Sequence, residues 1–170
     1  MTRRDFIYKW LIYGLALLPV WWLDTYILNR VPLLGVSPVL LPLAAVAVAV
    51  QEGAVAGAGF GLAVGLLCSA VYAGSSGGIV LGVCLIGWGA GAAAQYVLSQ
   101  NFGGCLLCSM CGLAGLDAAR ILTRLLNGAG DFSAMLRLAG LEILWSMAFV
   151  FFIYSWFRRV RRQIAKFLRL

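Results

Sequence analysis

The sequence predicts an all-α membrane protein, a compact bundle of about six transmembrane helices joined by short loops. Three observations carry that expectation. Of 170 residues, 63% are hydrophobic and 11% charged, against roughly 45–50% and about 25% in soluble domains, so a water-soluble core of this size lacks the polar surface to cover it. Apolar stretches approaching the ~20 residues that cross about 30 Å of hydrocarbon recur along the chain, separated by short breaks rich in Gly, Pro and Asn. Nine of the thirteen bases stand at the two ends, as Arg3, Arg4 and Lys9, then Arg158, Arg159, Arg161, Arg162, Lys166 and Arg169. That distribution suits topology setting and an anionic membrane surface better than nucleic acid.

The first helix is expected over 8–28, interrupted by Pro19 and closed by Trp21, Trp22, Asp24 and Tyr26. Its opening imitates a secretory signal, but it lacks an A-x-A-like cleavage site, and it reads as a retained membrane helix. The loop 29–37 carries Arg30, Pro32 and Gly35, after which Pro38 and Pro42 suit the first turn of a second helix over 38–51. This segment is too short to span upright unless the apolar loop before it also lies in the membrane. The third helix, 53–72, ends at a Gly-Ser turn, and the fourth runs over 79–98. After a Ser-Gln-Asn and Gly-Gly break, a fifth covers 105–126 and contains Asp117 and Arg120. The sixth, 133–157, ends in an aromatic belt with a basic tail, 158–170, behind it. Two basic ends imply two cytoplasmic termini and an even number of crossings, which six helices satisfy. The whole chain, 1–170, reads as one multi-pass domain of the inner (cytoplasmic) membrane, its solvent the lipid bilayer.

Helices in lipid associate through close packing of small residues and through polar contacts. Gly53, Gly57, Gly61 and Gly65 recur every fourth residue on the third helix, the fourth contributes Gly87 and Gly91, and the second contributes Ala45 and Ala49. These faces serve either internal packing or docking of another membrane protein. Charges inside apolar helices are costly, roughly 2.5–3.5 kcal/mol each at the bilayer centre. Asp117 and Arg120 share a face, and a hairpin about Gly128 brings Arg137 and Glu142 to similar depths. The expected outcome is a network of Asp117, Arg120, Arg137 and Glu142, serving as a clamp on helix register, a partner contact or a proton or substrate site. Asp24 and Glu52 end apolar runs and are expected at interfaces. Arg158, Arg159, Arg161, Arg162 and Lys166 serve as a topology anchor or as a site for anionic lipid.

Catalytic constellations are scarce. The chain has no His, which removes imidazole bases and the commonest metal ligand. Cys105, Cys108 and Cys111 form a C-x-x-C-x-x-C run, with Cys68 and Cys84 as conceivable further ligands. At spacings of three inside an apolar helix they read better as a stripe of small buried side chains than as a metal site. Ser75 and Ser76 have no base in their loop. Neither an enzyme nor a cofactor or metal is expected.

The basic-ended six-helix plan, the Pro38-x-x-x-Pro42-Leu43 helix opening, the Glu52-Gly53-x-x-x-Gly57-x-x-x-Gly61 run and the following Gly65-Leu66-Leu67 with a Gly-Ser turn together resemble the MreD family of rod shape-determining proteins. The 101–109 stretch and Leu141 to Trp145 look like segments of MreD-like proteins from Gram-positive anaerobes. Many members carry an Asp shortly after the third-helix glycines, where this chain has Cys68, Ser69 and Ala70. The resemblance implies a non-catalytic membrane scaffold of the cell-elongation and peptidoglycan-synthesis machinery. It implies an MreC-like bitopic partner, with a RodA-type glycosyltransferase, a class B penicillin-binding protein and the MreB filament in the wider complex. It also implies a fold similar to the substrate-binding component of energy-coupling factor transporters, and such a transporter component is the alternative function. A specific ligand pocket needs several convergent polar groups, and the few polar residues expected outside the membrane favour the scaffold.

Overall fold

The structure is a computed structural model that describes residues 3–28, 38–71, 77–96, 101–126 and 132–167. The loops expected around Arg30, Ser75 and Ser76, Gln100 and Asp131 lie outside the described residues. Six helices and no strand make up what is described: α1 (Arg3–Trp22), α2 (Leu40–Glu52), α3 (Ala54–Val71), α4 (Gly78–Tyr96), α5 (Phe102–Leu126) and α6 (Phe132–Phe167). The protein is a helical membrane bundle. Among the described residues, Ile7–Ile27, Gly78–Tyr96, Phe102–Leu126 and Phe132–Lys166 are long and apolar enough to cross a bilayer.

α1 passes straight into a π-helical turn, Leu23–Ile27, in which Leu28 N donates to Leu23 O. Pro19 sits one turn earlier inside α1, where its missing N–H leaves the Leu15 carbonyl without its helical donor. The π-helical turn brings Asp24 inward. The acid expected at an interface is 4% exposed, and its Oδ1 accepts the Leu40 N–H at 3.1 Å. Ser146 Oγ of α6 accepts the neighbouring Val39 N–H, also at 3.1 Å. Two donors that the start of α2 leaves without intrahelical partners are thereby satisfied by other helices.

α2 explains its own brevity. Every residue from Leu40 to Gln51 is buried, and the helix touches each of the other five. A helix apolar all round belongs in an interior, and alternating Ala and Val let its neighbours come close. At 13 residues it measures about 20 Å, less than the hydrocarbon thickness, and it forms the enclosed axis of the bundle. Gly53, the one glycine at positive φ among the described residues, turns the chain directly into α3. Its φ of 96° follows an N–H bond to Ala49 O at 2.8 Å. A Cβ disfavours this conformation, so glycine fits here.

The glycine ladder packs internally. A Cβ at Gly57 would lie 2.6 Å from Ala49 Cβ, one at Gly61 2.7 Å from Val83 O, one at Gly65 2.9 Å from Val80 Cα and one at Gly91 2.6 Å from Ala54 Cα. Gly87 likewise abuts the Gly57 backbone. Backbone meets backbone along α3 and α4, the most extensive helix pair of the bundle, which is the close approach that small residues permit in lipid. The start of α1, the α2–α3 turn and the last turns of α6 meet at one end of the bundle, called here the basic end. α6 is 36 residues long. The segment from Arg158, expected as a tail, continues the helix to Phe167, because Phe157, Val160 and Ile164 form an inward stripe that is buried.

Candidate functional site

Small side chains also line a second face of α3. Ala56, Gly59 and Ala63 lie opposite the Gly57, Gly61 and Gly65 ladder, and with Gly14 and Leu17 of α1 they wall a groove of about 980 Å³. Trp10 and Phe60 stack at its basic end with ring centroids 6.3 Å apart, and Tyr13 and Phe157 pack behind them. Gly14 and Gly59 differ from the ladder glycines: a Cβ at either would meet no atom within 4 Å. Val55 and Leu66, which line the groove, are exposed. Sequence reasoning selected the other face of α3 and missed this one. The signal was present in the spacing Ala56-x-x-Gly59-x-x-x-Ala63.

Lys9, Glu52 and Gln95 close the groove at the basic end. Glu52 is the node of this end. Lys9 Nζ pairs with its Oε2, the Tyr13 hydroxyl donates to Oε1 at 2.7 Å, and Arg161 Nε stands 3.9 Å from Oε1. One carboxylate thus ties α1, the end of α2 and the last turns of α6 together. Expected at an interface, Glu52 is largely buried, its side chain 12% exposed.

A second polar group lies between α5 and α6. Arg120 Nη1 reaches Asp117 Oδ1 at 3.4 Å and Glu142 Oε1 at 3.1 Å. Three of the four residues expected in this network come together, and Arg137 does not. It is exposed and has no ion pair within 4.0 Å among the described residues. The reason is azimuth: Arg137 and Glu142 are five residues apart, about 140° around the helix, so the turn that aims Glu142 at α5 points Arg137 elsewhere. Matching depth is insufficient.

Cys105 and Cys108 are buried, and Cys111 is exposed. Cys108 Sγ approaches Ala90 O at 3.9 Å, so the cysteine stripe turns from the α4 contact towards lipid. No three potential metal ligands gather among the described residues. Compared with protein-family models, curated proteins and solved structures, the chain matches none. The remaining expected group, Arg158, Arg159, Arg161, Arg162 and Lys166, lies exposed on the last turns of α6. Chemically, the groove is a surface for shape recognition: its walls are apolar, and its one amine is already paired with Glu52.

Proposed function

We propose that this protein is a non-catalytic membrane scaffold whose α1–α3 groove receives the transmembrane helix of a bitopic partner. The observation that carries this reading is that Gly14 of α1 and Gly59 of α3 line one apolar groove, where a built Cβ has open space among the described residues, as it also does at Gly89, Gly103, Gly115 and Gly140 outside this groove. Glycine inside a helix costs about 1 kcal/mol relative to alanine, and close approach of an external backbone is a physical reason to keep it. The resemblance to the MreD family supports an MreC-like partner and a place in the cell-elongation, peptidoglycan-synthesising complex with a RodA-type glycosyltransferase, a class B penicillin-binding protein and the MreB filament. On the same reading the basic end faces the cytoplasm, in the cytoplasmic membrane. Action by a scaffold is thermodynamic: it biases a synthase only by binding one of its conformations more tightly than another.

The test is co-purification from mild detergent. Gly59→Leu fills the groove without touching the internal ladder, so the expected result is a stably folded variant that loses an MreC-like partner while the wild-type chain retains it. Full retention by a folded Gly59→Leu variant would overturn the groove assignment. Recovery of the wild-type chain with an ATP-binding cassette pair instead would replace the scaffold with the transporter alternative.

A further inference from the structure

The last three turns of α6 are held by Val160 and Ile164, both buried, so the cations between them have fixed azimuths. Taking 100° per residue, Arg158, Arg162, Lys166 and Arg159 fall within an arc of about 100°, facing away from the Val160 and Ile164 side. Arg161 stands apart at the flank, where it approaches Glu52 at 3.9 Å. The other four are exposed and have no ion pair within 4.0 Å among the described residues. The same outward stripe, followed back along α6, carries Phe151 and Phe152, which are 66% and 59% exposed. From Phe152 to Arg158 the axial rise is about 9 Å. Exposed aromatics therefore give way to cations along one continuous face.

We propose that this stripe is a binding site for an anionic phospholipid, with the headgroup phosphate on Arg158, Arg159 and Arg162 and the acyl chains along Phe151 and Phe152. Two features select a phospholipid over a free anion or an acidic protein surface. Arg158 to Arg162 spans about 6 Å along the axis, which matches the roughly 5–7 Å headgroup layer on each side of the hydrocarbon. The apolar half of the stripe lies directly below the cations, as the two halves of an amphiphile require. Guanidinium groups match a phosphate bidentately. The site stands apart from the groove and does not depend on the scaffold reading.

Native mass spectrometry of the full chain in mild detergent tests it, because topology setting plays no part once the bilayer is gone. Phosphatidylglycerol is expected to bind about tenfold more tightly than phosphatidylcholine with the same chains. Arg158→Gln, Arg159→Gln and Arg162→Gln together should abolish that preference, whereas the corresponding Lys triple, which keeps the charge and loses the guanidinium fork, should retain a reduced preference. If the Gln triple does not fold, Arg162→Gln alone should weaken phosphatidylglycerol by about fivefold. Equal binding of the two lipids, or a preference that survives in the folded Gln variants, would overturn the site. Glycerol 3-phosphate matching phosphatidylglycerol would also overturn it, by making this a bare anion site to which the chains add nothing.

Discussion

At single positions the bundle separates glycines that look alike in the sequence. Gly57 is pressed between Ala49 and the Gly87 backbone, whereas Gly59, two residues on, faces open groove. Gly57→Ala is expected to lower stability by about 1–3 kcal/mol, as overpacking does. Gly59→Ala should leave stability unchanged or raise it by up to about 1 kcal/mol through helix propensity. Thermal unfolding in detergent reads both, and equal shifts would contradict the two-faced description of α3. Asp24 gives a second contrast. Asp24→Ala removes the acceptor for the buried Leu40 N–H and should cost about 2–3 kcal/mol or more, because the donor is left without a partner away from water, while Asp24→Asn keeps a carbonyl oxygen there and should lose less. From sequence alone this acid was unreadable: one that ends an apolar run looks the same at a membrane surface as when it caps another helix. What decides between them is that its partner, Leu40, begins a helix sixteen residues away.

Helix pairs are held by a few polar ties set in apolar contact. Glu52→Gln removes the charge that holds Lys9 and Arg161, at an expected cost of about 1.5–3 kcal/mol. Hydrogen exchange should then rise in the first turns of α1 and the last turns of α6 but not along α4; uniform loosening would show that the node is no local tie. Between α5 and α6, Arg120→Leu strands Asp117 and Glu142 without their cation and should sharply reduce accumulation in membranes, while Arg137→Gln should not. Similar losses from both would restore Arg137 to the network. The hairpin and its Asp117–Arg120 face could be read from spacing of three, but Arg137 could not be placed, since depth along a helix says nothing of direction around it. The continuation of α6 was readable in principle. Phe157, Val160 and Ile164 keep helical spacing through the basic run, a pattern masked by reading charge as a sign of a tail.

Taken as a molecule, the bundle is a buried axis with five helices around it, and chemical labelling can map its inside and outside. In folded protein a lipid-partitioning diazirine photolabel should mark α5 at Cys111, which is exposed, and spare Cys68, Cys105 and Cys108, which are buried, until the chain is denatured, with mass spectrometry locating the adducts; strong labelling of Cys105 would show that α5 is turned differently. The membrane class and helix number were plain in the composition and the spacing of apolar runs, because lipid imposes both. Which helix is central was hidden, since an alanine- and valine-rich segment reads equally as span or as core. That central position also bears on biogenesis. During synthesis α2 leaves the ribosome before α5 and α6, yet its first N–H groups are satisfied by Asp24 behind it and by Ser146, more than a hundred residues ahead. An unsatisfied backbone group in hydrocarbon costs several kcal/mol, so the nascent helix has no settled position until the final hairpin arrives. Chains truncated after Leu126 are therefore expected to be cleared by membrane proteases in pulse–chase experiments while full-length protein persists, making closure of the last helix the maturation checkpoint.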